Sequence, residues 1–98
     1  MKQIKAKLYI YGKNKGGERH PWCSGIRPSF NINENLIMCK VDSKDKQNMS
    51  LNAYHNVIIE IPHGHLVEDY LKINAKFKLN CGARIIAEGI ISEVLKKS

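Results

Sequence analysis

Lys5-Ala6-Lys7-Leu8 sets a cation against an aliphatic residue at every step and runs on into Tyr9-Ile10-Tyr11; Lys76-Phe77-Lys78-Leu79 repeats the pattern near the other end of the chain. Successive side chains of an extended strand point to opposite faces, so this alternation describes strands with one face in a core and the other in water. Val57-Ile58-Ile59-Glu60-Ile61, closed by Pro62, is the strongest strand signal of all. Further strands are expected over residues 27–32, where Pro28 marks a bend ahead of the alternating Phe30 and Ile32, over 36–41, and over 84–95.

Turn chemistry separates them. Residues 12–18 form a basic, glycine-rich loop, residues 42–48 a polar and alternately charged one, and Asn80-Cys81-Gly82-Ala83 a hairpin-like turn in which Gly82 supplies a positive φ. Gly89 within the last strand marks a bend, a bulge or a close approach. Residues 65–74 carry Leu66, Val67, Tyr70, Leu71 and Ile73 and fit a loop, a short helical turn or a strand. About six short strands with turns between them and no clear helix place the chain in the all-β class, as a barrel or sandwich.

Ninety-eight residues, 43% of them apolar and 26% charged, suit a single domain over residues 1–98 with one modest core. Sixteen Lys+Arg against nine Asp+Glu leave +7, a surplus that steers polyanions, nucleic acid first and acidic protein surfaces second. No segment approaches the roughly 18 consecutive apolar residues that span a bilayer, so no membrane association is expected. Lys2, Lys5 and Lys7 interleave with apolar residues at the start of the chain, which is not the pattern of a signal peptide. Cys23, Cys39 and Cys81 are odd in number and widely spaced, the usage of a cytoplasmic protein with reduced thiols.

Two blocks resemble the third, C-terminal domain of elongation factor Tu. The first is Lys5-Ala6-Lys7-Leu8-Tyr9-Ile10 followed by Gly16-Gly17-Glu18-Arg19-His20-Pro21-Trp22-Cys23-Ser24-Gly25-Ile26-Arg27-Pro28-Ser29-Phe30. It is similar to the family's opening strand, its Gly-Gly-Arg-His-Thr-Pro-Phe-Phe loop and its Gly-Tyr-Arg-Pro-Gln-Phe segment. The second runs from Phe77 through Leu95, and its Gly82-Ala83-Arg84-Ile85-Ile86-Ala87-Glu88-Gly89-Ile90-Ile91 is similar to the family's Gly-Gly-Arg-Thr-Val-Gly-Ala-Gly-Val-Val. The resemblance implies a single six-stranded antiparallel β-barrel that, in the full factor, helps hold the T-stem of aminoacyl-tRNA and contacts protein partners. The positions that would face tRNA are altered. Glu18, Arg19 and His20 stand where the family has arginine, histidine and threonine (a one-residue slip would restore Arg-His), and Ser29 stands where it has glutamine.

The chemistry expected of this barrel is binding rather than catalysis. There is no G-x-x-x-x-G-K-[ST] loop, and Gly16-Gly17 is followed by Glu18-Arg19, which excludes GTP hydrolysis. His63-Gly64-His65 could seed a metal site, but no third ligand lies at a telling spacing, so no metal or cofactor is expected. Cys23 with His20 lacks an orienting group and reads as a small core hydrophobe, not a nucleophile. Trp22, Tyr9, Tyr11 and Tyr54 amid lysines fit either packing or base stacking. Arg27 and Arg84 suit either phosphate or barrel carboxylates such as Glu60 and Glu88. The candidate binding surface is therefore Lys13, Lys15, Arg19, His20, Arg27 and Arg84. A protein partner is the first expectation, a translation factor or, for an immunity or antitoxin-type protein, a toxin; tRNA or ribosomal RNA bound by the basic surface is the alternative.

Overall fold

A computed structural model describes residues 2–12, 20–45 and 48–95. The chain is all-β, as the alternation requires. Its strands are β1 (Lys2–Ile10), β2 (Ser29–Ile32), β3 (Asn35–Met38), β4 (Lys40–Ser43), β5 (Ala53–Ile61), β6 (Lys76–Cys81) and β7 (Arg84–Leu95), with a short 3-10 turn at Gly64–Tyr70. All ladders are antiparallel, in the order β3-β2-β6-β7-β1-β5-β4.

The six strands expected become seven in a curled half-barrel, not six closed by continuous ladders. The expected strand over residues 36–41 changes partner at Cys39, with β3 on β2 and β4 on β5. The two edge strands of the sheet are thus consecutive in the chain. The segment ahead of β2 closes onto β4 and the residues beyond it only through isolated bridges, Ile26 to Val41 and Trp22 to Met49. Side chains hold this seam: Ser24 Oγ donates to Asp42 at 3.2 Å and accepts from the Ser43 amide at 3.0 Å, while Lys40 lies 3.8 Å from both Asp42 and Glu60. Asp42 and Ser43, read from sequence as part of an exposed loop, are instead strand residues that tie the seam.

β7 supplies the curl. Its burial phase slips at Ile86-Ala87, both buried, and at Ser92-Glu93, both exposed. At each place β7 carries one residue more than its partner, β6 in the first case and β1 in the second. Such bulges bend a strand and sharpen its twist. Gly89 is not among them: it stays in register opposite both Leu8 and Phe77 and gives the Phe77 ring room to cross β7. One core results, with Ile4, Leu8, Ile10, Phe30, Val41, Ile59, Ile61, Leu79 and Ile91 fully buried. Phe77 stacks on Phe30 at 4.8 Å between centroids.

Two hairpins turn on residues with positive φ. Asn33 (φ 48°) and Glu34 (φ 67°) form the two-residue turn between β2 and β3, the paired left-handed geometry of a type I′ turn. Gly82 (φ 63°) opens the turn between β6 and β7, as the sequence requires of it. Of the alternatives for residues 65–74, the chain takes the helical turn, which buries Val67 and Leu71 and joins β1 through a Lys2–Glu68 ion pair.

Candidate binding surface

The segment ahead of β2 is pinned by its tryptophan. Trp22 exchanges backbone hydrogen bonds with Met49 at 2.9 and 2.8 Å, and its side chain is buried in the core. It is therefore not a stacking platform for bases. Its indole Nε1 has no hydrogen-bond partner among the described residues. Strand-like alternation then turns Cys23 outward, against the expectation of a small core residue. The buried thiol is Cys39, which lies 3.3 Å from the Pro28 carbonyl and whose pKa desolvation pushes up to about 12.

Beside Trp22 lies a cleft of about 520 Å³. His20, Cys23, Arg27 and Ser29 line one side, and Asn80, Cys81 and Gly82 of the β6–β7 hairpin line the other. The structure thus brings together two residues of the expected surface, His20 and Arg27, with Ser29. Arg84 sits on the same hairpin, opposite Cys81. Lys13, Lys15 and Arg19 lie outside the described residues. Among the described residues no carboxylate lines this cleft. Glu60 meets Lys40 and Gln3, and Glu88 accepts from Tyr11. His63 and His65 flank Gly64 with ring centroids 6.2 Å apart. Among the described residues no group of three or more His, Cys, Asp or Glu is placed to hold a metal.

Two further surfaces arise from register. The β3 edge strand is bonded on one side to β2 and presents Leu36 and Met38, 59% and 57% exposed. On the outer sheet face, Lys76, Ile90, Lys7 and Asn56 follow one another across β6, β7, β1 and β5, next to a row of Lys78, Glu88, Tyr9 and Tyr54. Tyr9 packs on Tyr54 at 4.9 Å and on Tyr11 at 6.1 Å, and Lys7 Nζ lies 4.9 Å from the Tyr54 ring centre. Burial first, then the neighbouring Glu88, raises the Tyr11 phenol above its ordinary pKa. The alternation in residues 5–8 and 76–79 was the signal for each lysine's face. Their meeting across β7 is a property of the fold alone.

No family model matches the chain. No helix in the described residues is long and apolar enough to cross a membrane.

Proposed function

We propose that the chain is a non-catalytic, cytoplasmic binding module related to the third domain of elongation factor Tu, and that it acts by docking a protein partner along β3. The kinship is supported by where the two resembling blocks fall. Together they supply β1, the start of β2, most of β6 and all of β7, and the run β2-β6-β7-β1 is contiguous in the sheet. Segments distant in sequence thus form one half of the fold.

The observation that carries the protein-binding reading is the apolar β3 edge. A free edge strand offers unpaired backbone groups as a template for another strand, and natural proteins usually blunt such edges with charge or proline. Here Asn35-Leu36-Ile37-Met38 carries neither, and its two most exposed apolar side chains are free to seat in a partner's pockets. The partner is a protein of the translation machinery or a toxin that the chain occupies.

Capture from host lysate by the immobilised chain, with and without ribonuclease, tests this. A specific protein should be retained after ribonuclease treatment and lost with the Leu36→Lys/Met38→Lys variant, whose thermal midpoint stays near wild type because both side chains are exposed. Retention by the double variant would refute docking along β3. Retention that vanishes with ribonuclease would favour the RNA alternative.

A further inference from the structure

The outer face of the sheet carries a groove of about 480 Å³ between the β2–β3 turn and β5. Lys7, Lys76 and Lys78 line it, with Tyr54 at one end and the amides of Asn31 and Asn33 at the other. Lys76 and Lys78 are two residues apart on one face of β6, about 7 Å along the strand, and Lys7 stands two strands across, about 9.5 Å away.

What sets these lysines apart from the other strand lysines is that none is paired with a carboxylate among the described residues. Lys2, Lys5 and Lys40 each hold a carboxylate. Among the described residues, no ion pair involves Lys7, Lys76 or Lys78. Lys78 lies directly opposite Glu88, yet Glu88 instead accepts a hydrogen bond from Tyr11. Lys7 extends over the Tyr54 ring. The other carboxylate of the groove, Glu34, belongs to the turn at its rim.

The geometry points to a track for single-stranded nucleic acid, in which Lys7, Lys76 and Lys78 meet backbone phosphates and Tyr54, 64% exposed, stacks a base. Unpaired ammonium groups beside an exposed aromatic ring, with amide donors and acceptors within reach, match the combination by which single strands are held. A duplex, whose bases are stacked inside, cannot use the tyrosine. The track is separate from the cleft of His20, Arg27 and Ser29, and it does not depend on the protein-docking reading of β3.

A fluorescein-labelled oligouridylate of about 12 nucleotides is within the length such domains hold, and its anisotropy reads the affinity. Single strand should bind more tightly than a matched duplex. Each phosphate contact to a single strand contributes about −0.7 to the slope of log K against log salt, so Lys76→Ala/Lys78→Ala should make that slope shallower by about 1.4. Tyr54→Ala should weaken binding about 5-fold or more and leave the slope unchanged. Glu34→Lys should steepen the slope by up to about 0.7. All these side chains are exposed, and circular dichroism verifies that each variant folds. Absence of single-strand binding at low salt would overturn the proposal, as would a slope that the lysine pair does not change. So would loss of binding in Arg27→Ala with the groove variants unaffected, which would place the strand in the cleft. Leu36→Lys/Met38→Lys should leave oligonucleotide affinity unchanged, so either reading can fail without the other.

Discussion

Gly89→Ala should destabilise the protein, although alanine is the better strand residue. A methyl group at position 89 would sit 2.5 Å from Phe77 Cζ and 3.0 Å from both Phe77 Cε1 and the backbone oxygen of Lys7. The ring cannot step aside: Phe77 is 3% exposed and stacked on Phe30. Overpacking of this kind costs about 1–3 kcal/mol, whereas relief of glycine's excess entropy in a strand returns only about 0.5–1 kcal/mol. The net loss centres on about 1.3 kcal/mol, which in a domain of this size lowers the thermal midpoint by roughly 5–10 °C. Thermal and urea denaturation of Gly89→Ala, Phe77→Leu and the double variant form the assay. The double variant should be more stable than the sum of the single effects, because the smaller side chain makes room for the methyl. A Gly89→Ala protein as stable as wild type or more so would mean that the glycine is not the seat of a close approach.

Glu34 occupies a left-handed position that costs a side chain-bearing residue roughly 1–2 kcal/mol, so Glu34→Gly should stabilise the fold by about 0.5–1 kcal/mol after the added entropy of the unfolded chain is counted. A lower urea midpoint would show that the turn is not of this type. Cys39 should resist thiol reagents in the native protein at pH 8 while Cys23 and Cys81 react, and all three should react in denaturant. Its raised pKa also sets a sign. The unfolded thiol ionises above about 9 and the folded one only near 12, so in this window the unfolded state binds fewer protons and stability falls with rising pH. The slope from this group approaches about 1.4 kcal/mol per pH unit and should vanish in Cys39→Val.

Strand identity was legible where side chains alternate or where β-branched residues cluster, as in β1, β5, β6 and β7. Partner choice was not. The break at Cys39 arises because β3 and β4 pair with strands from opposite ends of the sheet, and nothing in residues 36–41 marks it. Asp42 and Ser43 read as loop because they are polar, yet Ser43 is buried and Asp42 holds Ser24. The bulges fall at Ile86 and Ser92, where register shifts, and not at the glycine that drew attention to the strand. Among the cysteines, the exposed Cys23 and buried Cys39 follow from where Trp22 and the seam sit, which only the assembled sheet decides. His20 and Arg27 line one cleft, whereas the lysine groove depends on β7 lying between β1 and β6. The exposed Leu36 and Met38 were visible only as part of a strand, since an edge is defined by the neighbour it lacks.

The claim that β3 is the docking edge is tested most directly by hydrogen exchange on the chain, free and in complex with its captured protein. Amides of β3 not bonded to β2 should exchange readily in the free chain and be slowed in the complex, as pairing with a partner strand would require. Unchanged exchange along β3, with new protection confined to the cleft or the lysine groove, would contradict it.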